Sequence, residues 1–296
     1  MAGVIAAILY VVLYLKAPTL QKIQDGSLTM SSEAPNYSFR LTPYTAFVKG
    51  LTNVNSNDFD ISDESDSDIG CNDLHVLTSP HINSVTDENE VTRKIKGLLM
   101  LINGALSISF GFERFERFGP LGIDASEGIS LSYITNIESL DIDQSSPFAS
   151  GVDMKLATNA QEYSKLVYVS SQRYDVRVIL GMCSMRHDWV NLYRLWDTLT
   201  HFISKEYSND NTFIAGIKKR KPQAKDLVSA LCGIPSADIS AFTATANSFE
   251  LLGLASRHGI GVTGSGGNPQ KTMNRSEAMK FIWTICQCYL RRIRAL

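Results

Sequence analysis

The sequence predicts an α+β protein, with a mixed strand and helix N-terminal domain followed by an all-helical C-terminal domain. In the first half, apolar and polar residues roughly alternate, as they do in half-buried strands. From Asp188 onward, apolar residues recur at helical spacing. The chain has 296 residues, of which 44% are hydrophobic and 20% charged, which is the balance of a globular protein with buried cores. We therefore expect a mixed domain over residues 30–160 and a helical domain over residues 187–296.

Residues 1–29 are set apart by an uninterrupted apolar run, AGVIAAILYVVLYL, from Ala2 to Leu15. A helix of that length rises roughly 21 Å, which is less than the roughly 30 Å hydrocarbon core of a bilayer. Three interpretations stay open: a short anchor or interfacial segment that contacts the membrane, a translation start that is really at Met30, and a buried N-terminal helix. If the run inserts, Lys16 and Lys22 place the remainder on the cytoplasmic side.

The mixed domain is predicted to contain two strand regions with an acidic loop between them. The strand regions are Tyr37 to Leu51, bent at Pro43, and Ser126 to Asp143. Residues 53–73, NVNSNDFDISDESDSDIGCND, are rich in Asp and contain no basic residue. Because such a stretch buries too little apolar surface to offset its ordering entropy, we expect a long solvated loop. Its acidic residues miss the register of a calcium loop.

One long helix is expected in the mixed domain. Glu90 to Ile102 has helical spacing, and Asn103-Gly104 predicts its end before a strand-like ALSISF segment. Residues 159–185 fit helices better than strands.

The helical domain carries clear start and stop signals. Asp188 is a suitable N-cap for WVNLYRLWDTLTHFISKEY, and Asn274 with Glu277 forms the capping box of the last helix. Between them we predict three more helical segments: Ala224 to Leu231, closed by Gly233 and Pro235; a helix capped by Ser236 or Asp238 that reaches Ala246; and Phe249 to Ser256.

Charge and cysteine usage limit the function classes. A net charge of -2 gives no global attraction to nucleic acid, so such binding has to be local. The five cysteines are scattered without a C-x-x-C, which predicts reduced thiols in the cytoplasm, no metal site and no cofactor. On one helix, Cys286 and Cys288 point about 200° apart and cannot chelate one ion.

The stretch SRHGIGVTGSGGNP, Ser256 to Pro269, contains a literal G-x-G-x-x-G. A dinucleotide site needs a strand before the glycines and a helix that starts within them. Here a helix precedes the glycines and the next helix begins too late, which argues against nucleotide binding. Arg257 and His258 remain candidates: they supply the cation and the near-neutral base of metal-independent RNA cleavage. The alternative is that both interact with carbonyls at a helix C-terminus, with Gly259 as the C′ residue.

Two further groups of polar residues are candidates for contact with RNA. The basic loop Lys218, Lys219, Arg220 and Lys221 and the C-terminal Arg291, Arg292 and Arg294 could track a phosphate backbone, or serve as a solvated loop and a helix-dipole match. Arg194 and His201 form a second Arg/His pair on the side of their helix away from the apolar stripe.

The order DWVNLYRLWDTL, FTATANSFELLGLASRHG, a Gly/Pro loop and MNRSEAMKFI resembles a type of bacterial and phage protein with a helical C-terminal half and no assigned function. The resemblance covers residues 188–294 and marks Thr245, Asn247, Arg257 and His258 as the polar residues of interest. More distantly, a helical bundle with an Arg/His pair is similar to HEPN-type ribonuclease domains of defence systems. Their Arg and His are separated by a few residues, as Arg194 and His201 are, whereas Arg257 and His258 are adjacent.

Two functions follow as expectations. The first is a non-enzymatic binding protein of a phage or mobile element, which recognises a protein partner through its helical domain. The alternative is a HEPN-like ribonuclease that acts through Arg257 and His258 in a defence or toxin system. Either protein is expected in the cytoplasm or tethered to a membrane facing it.

Overall fold

The α+β fold class is confirmed by the computed structural model, which describes residues 37–42, 46–52, 54–63, 75–83, 85–123, 146–217, 222–259 and 271–294. The apolar residues 1–29 and the strand expected at Ser126 to Asp143 lie outside the described residues. The strands are β1 (Ser38–Thr42), β2 (Asp60–Asp63), β3 (His75–Thr78) and β4 (Gly122–Ile123). The α-helices are α1 (Ala46–Lys49), α2 (Glu88–Phe110), α3 (Phe112–Phe118), α4 (Glu162–Gln172), α5 (Tyr174–Cys183), α6 (Trp189–Tyr207), α7 (Asn211–Ala215), α8 (Ala224–Cys232), α9 (Ser236–Asn247), α10 (Phe249–Leu252) and α11 (Arg275–Arg294).

The chain divides into two compact units. The sheet unit comprises residues 1–99 and 121–161, and the helical unit comprises residues 100–120 and 162–296. Within the described residues, no helix is long and apolar enough to cross a membrane.

The sheet unit contains a small antiparallel sheet in the order β2-β3-β1-β4. Phe39 lies opposite Leu77, Leu77 lies opposite Ile61, and Leu41 lies opposite Ile123, and all five of these apolar side chains are buried. The strand predicted over residues 37–51 is therefore correct only for its first part, because the chain turns into α1 at Ala46.

The acidic stretch is not a solvated loop throughout, which corrects the expectation for residues 53–73. Its first part forms β2, where Ile61 is fully buried, and residues 64–73 lie outside the described residues. Asp58 is also buried and contacts the ring of His81, with 3.0 Å between Oδ1 and Nε2. Because the Ala149 amide donates to Nδ1 of His81, the ring carries its proton on Nε2 and donates it to Asp58. The buried hydrogen bond between His81 and Asp58 thus holds part of the acidic stretch in the core.

The expected helix stop at Asn103-Gly104 is wrong, since α2 continues without interruption to Phe110 and the ALSISF segment is helical. The reason is steric rather than conformational. A Cβ placed on Gly104 would lie 2.0 Å from the carbonyl oxygen of Leu180, so glycine is what permits α2 and α5 to touch at this position. A sequence reading based on helix propensity alone takes such a glycine for a terminator.

Helices α6 and α11 begin where the predicted capping signals place them. Asp188 caps α6 by accepting from the amide of Asn191 at 2.9 Å, and the predicted apolar stripe of α6 is buried. Asn274 and Glu277 exchange side-chain to backbone hydrogen bonds of 2.9 and 2.8 Å, which confirms the capping box of α11. The predicted caps of α9 are wrong: the N-cap position is Pro235, without a side-chain hydrogen bond.

Candidate functional site

Arg257 is held by two side chains of α6. Its guanidinium carbon lies 4.0 Å from the centre of the Tyr193 ring, and Nη2 lies 3.4 Å from the carboxylate of Asp197. Tyr193 and Asp197 are four residues apart and therefore lie on one face of α6. The guanidinium thus stacks on the Tyr193 ring and forms an ion pair with Asp197, while 37% of the Arg257 side chain stays exposed.

The backbone around Arg257 is anchored as well. Its amide donates to the carbonyl of Ala246 at 3.0 Å, and the neighbouring Ser256 is buried, with its hydroxyl donating to the carbonyl of His258. Residues 256–258 are therefore fixed against the end of α9, a position that orients the Arg257 side chain toward α6.

The helix before Arg257 ends earlier than expected. The stretch 249–256 consists of α10 followed by a 3-10 helix, Gly253–Ala255, and the residue with positive φ is Gly253, at 56°. The expectation that Gly259 provides the C′ cap is therefore wrong. Glycine is needed at position 253 because other residues rarely adopt this part of conformational space. We call residues 249–255 the α10 segment.

His258 is half-buried, and no described residue hydrogen-bonds with its ring. It is next to Arg257 in the chain, yet the two side chains have different roles in the described structure. Arg257 is engaged with α6, whereas the His258 imidazole makes no hydrogen bond, ion pair or ring contact with a described residue.

Thr245 and Asn247, the other two residues marked by the resemblance, lie at the end of α9. The Thr245 hydroxyl donates to the carbonyl of Ala241 at 2.8 Å and accepts from the amide of Met273 at 3.1 Å. Thr245 thereby links α9 to the approach of α11. The side-chain oxygen Oδ1 of Asn247 is buried and has no hydrogen-bond partner among the described residues. The structure thus joins three of the four segments that carry the resemblance: α6, the α9 end with the α10 segment, and the approach to α11. The fourth, the Gly/Pro loop, lies outside the described residues.

The α10 segment presents apolar side chains to solvent. Leu254 is 96% exposed and Leu251 is 44% exposed, although both lie between fixed points. On the N-terminal side Ser248 accepts from the amide of Leu251, and on the C-terminal side Arg257 contacts α6. Exposed leucines this close together on an anchored segment are typical of protein interaction sites.

The other predicted candidates are not brought into this cluster. The basic loop Lys218, Lys219, Arg220 and Lys221 lies outside the described residues. Arg194 and His201 are both exposed on α6, as their helical position predicts, and His201 packs edge-on against Phe202. Arg291 and Arg292 are exposed near the end of α11.

A polar cluster that the sequence did not reveal lies elsewhere in the helical unit. His187 is buried, stacks on Phe112 with 3.9 Å between ring centres, and places Nε2 3.3 Å from the hydroxyl of Ser107. Its Nδ1 lies 3.4 Å from Glu116, which forms a two-pronged pair with Arg275 at 2.6 and 2.7 Å. Arg275 also donates to the carbonyl of His187.

Ser107, His187 and Glu116 are the residue types of a hydrolase triad, but their burial excludes that role. Ser107 is fully buried within α2, so no substrate reaches its hydroxyl. Burial lowers the pKa of His187 to about 4, and the nearby carboxylate of Glu116 only partly offsets this. The cluster therefore fastens α3, the loop before α6 and the start of α11 with a neutral imidazole at its centre.

Glu113, Glu116, Arg117, Arg275, Ser276 and Met279 line a groove of about 420 Å³ beside this cluster. Its polar groups largely satisfy one another, since Arg275 pairs with Glu116 and the Ser276 hydroxyl donates to Glu113. Within the described part of the chain, no group of three or more His, Cys, Asp or Glu residues could hold a metal ion.

Comparison of the chain with protein-family models, with curated proteins and with solved structures gives no match. A function is therefore proposed from the geometry of the described residues.

Proposed function

We propose that this chain is a non-enzymatic binding protein that recognises a protein partner through the α10 segment of its helical unit. The observation that carries the proposal is the exposure of Leu251 and Leu254 on a segment that is fixed at both ends. Full burial of an exposed leucine side chain contributes roughly 1.5–3 kcal/mol, so Leu254, together with the smaller exposed part of Leu251, supplies an apolar anchor.

The fixed ends make this surface suitable for binding. A segment that is already ordered loses little conformational entropy when a partner docks, and more of the contact free energy then appears as affinity. The Arg257 contact with Tyr193 and Asp197 has a positioning role in this proposal, since it fastens the C-terminal end of the segment to α6.

A cytoplasmic localisation belongs to the same proposal. It is supported by the four described cysteines, which are all free thiols. A phage or mobile-element origin remains a prediction from the resemblance.

The second candidate function is a HEPN-like ribonuclease, which is favoured by one observation. The His258 ring is half-buried beside Arg257 and makes no described hydrogen bond, as a general base that awaits a substrate would. The engaged guanidinium of Arg257 is less compatible with this function, because stacking and pairing already use much of its surface.

Two experiments distinguish the binding function from the ribonuclease function. Affinity capture from host extract with the wild type and with Leu251→Ser/Leu254→Ser identifies candidate partners, which are then purified and titrated against each protein. Leu156→Ser is the matched control, since Leu156 is a similarly exposed leucine (48%) in the sheet unit. We expect a saturable partner whose affinity falls at least tenfold in the double variant and is unchanged in the control. A partner that binds all three proteins equally, or the absence of any saturable partner, overturns the proposal.

An RNA cleavage assay in the presence of a metal chelator tests the alternative. His258→Gln is the informative variant, because the His258 ring makes no described hydrogen bond or ion pair whose loss would destabilise the protein. We expect no cleavage by the wild type. Cleavage that His258→Gln abolishes would replace the binding function with a ribonuclease.

A further inference from the structure

The four described cysteines meet along one helix of the helical unit. Cys286 and Cys288 lie on different sides of α11, as their spacing predicts. The thiol of Cys286 interacts with that of Cys183 from α5, and the thiol of Cys288 interacts with that of Cys232, the last residue of α8. The helix packing thus sorts the cysteines into two pairs.

The two pairs differ in their access to solvent. Cys183 and Cys286 are both fully buried, whereas Cys232 and Cys288 are half-buried. The second pair is therefore the more accessible of the two to a dissolved oxidant while the helical unit stays folded. The chemistry of the side chains is the same, so the buried pair is an internal control for the accessible one.

The position of Cys288 is fixed by the end of α8. Its thiol donates to the carbonyl oxygen of Leu231, the residue before Cys232, with 3.2 Å between sulfur and oxygen. Helix α8 stops directly afterwards at Gly233, which has a φ of 65°. The end of α8 is therefore held against α11 at the position where the two thiols face each other.

The Leu231 carbonyl favours the protonated thiol of Cys288, whereas Cys232 and two arginines favour its thiolate. The hydrogen bond from Cys232 and the charges of Arg292 and Arg291 outweigh the effect of burial and lower the pKa of Cys288 to about 7. The pKa of Cys232 is raised well above its usual range, because its thiol is the donor in that hydrogen bond and is partly buried. The lowered pKa increases the thiolate fraction of Cys288 at neutral pH, and the thiolate is the nucleophile in cysteine oxidation.

We propose that Cys232 and Cys288 form a redox-responsive dithiol that closes to an intramolecular disulfide when it meets hydrogen peroxide. The Cys288 thiolate attacks one peroxide oxygen, which forms an S–O bond, breaks the O–O bond and releases hydroxide that takes up a proton to become water. The product is a sulfenic acid on Cys288. The Cys232 sulfur then attacks the Cys288 sulfur, and the hydroxyl leaves with the Cys232 proton as a second water. Two electrons pass from the two thiols to one peroxide.

The disulfide encloses a functionally important part of the chain. Residues 233–287 lie between the two cysteines and include α9 and the α10 segment. Closing this loop restricts the unfolded chain, so the oxidised protein is more stable against urea than the reduced protein. The inference does not depend on the binding function of the α10 segment.

Peptide mapping of the full chain tests the dithiol. The folded protein is treated with a small excess of hydrogen peroxide, alkylated, digested without reduction and analysed by mass spectrometry. We expect a Cys232–Cys288 linked peptide that dithiothreitol removes, with Cys183 and Cys286 recovered as alkylated thiols. In Cys232→Ser, the sulfenic acid on Cys288 persists and is trapped by dimedone, and Cys183→Ser leaves the linkage unchanged. Two results would overturn the proposal. One is that no Cys232–Cys288 linked peptide forms although the circular dichroism spectrum stays native. The other is that Cys183 and Cys286 become linked to the same extent.

Discussion

The guanidinium of Arg257 lies 4.0 Å from the centre of the Tyr193 ring and fastens the end of the α10 segment to α6. A cation over a phenol ring at a partly exposed site contributes roughly 0.5–1 kcal/mol. The ion pair with Asp197 adds little, because both side chains are well exposed to solvent. The contact of Arg257 with α6 therefore mainly positions the α10 segment and adds only modestly to stability.

We expect Arg257→Ala to lower the free energy of unfolding of the helical unit by about 1 kcal/mol. Arg257→Lys should recover only part of this loss, since an ammonium lacks the planar face that stacks on Tyr193. Urea unfolding followed by tryptophan fluorescence measures the effect. All three tryptophans, Trp189, Trp196 and Trp283, belong to the helical unit. Arg194→Ala, an exposed arginine on the same helix, is the control and should change stability by less than about 0.5 kcal/mol. Equal effects of the two alanine variants would refute the positioning role.

Gly104→Ala should destabilise the protein although alanine is the better helix former. The gain in helix propensity is about 1 kcal/mol, while the new Cβ would lie 2.0 Å from the Leu180 carbonyl oxygen and force α2 and α5 apart. Gly97→Ala is the control on the same helix, where the nearest atom to a Cβ is 3.3 Å away on Pro147. Thermal unfolding by circular dichroism should show a clear drop in the midpoint for Gly104→Ala alone. A stabilised Gly104→Ala protein would show that the close approach of the helices is unimportant.

Tyr289→Phe should remove a buried bridge between two carboxylates. The phenol oxygen lies 2.7 Å from Asp175 and 3.1 Å from Glu206, and Arg173 contacts both acids. Loss of the hydroxyl leaves a carboxylate short of a donor, for which we expect a cost of about 1–2 kcal/mol in urea unfolding. Tyr174→Phe, at an exposed tyrosine, should be neutral. If both variants behave alike, the bridge contributes nothing.

The burial of His187 predicts a pH dependence of stability. Burial lowers its folded pKa to about 4, below the usual value of about 6.5 in an unfolded chain. The unfolded state then binds the extra proton first, so this contribution to stability is full above about pH 6.5 and is lost as the pH falls toward 4. Glu116 and Arg275 are the charged groups that face the ring. The slope of stability against pH between 4 and 6.5 should flatten in His187→Gln and persist in the exposed His201→Gln. A slope that is identical in all three proteins would contradict a buried neutral imidazole.

Elements that local signals determine could be predicted from the sequence. Helix α6 with its Asp188 cap and α11 with its Asn274 and Glu277 box agree with the structure, because caps and apolar spacing act within a few residues. The stop expected at Gly104 failed for the opposite reason. The role of this glycine depends on Leu180, which is distant in sequence and close only after folding.

The candidate site shows the same division. Arg257 could be singled out from the sequence, but its partners could not. The spacing of Tyr193 and Asp197 places them on one face of α6, but it does not show that Arg257 packs there. The cluster of Ser107, Glu116, His187 and Arg275 had no local signal at all, since these residues come from four separate parts of the chain. The exposure of Leu251 and Leu254 likewise follows from tertiary packing, because a leucine in a helical pattern is ordinarily read as core.

The central claim, that the α10 segment binds a protein partner, is tested most directly by one ratio of affinities. The dissociation constant of the purified partner is measured by calorimetry for the wild type and for Leu251→Ser/Leu254→Ser, after tryptophan fluorescence has shown equal stability of the two proteins. The account predicts at least tenfold weaker binding by the double variant, which corresponds to a loss of about 1.4 kcal/mol or more. Equal dissociation constants would contradict it.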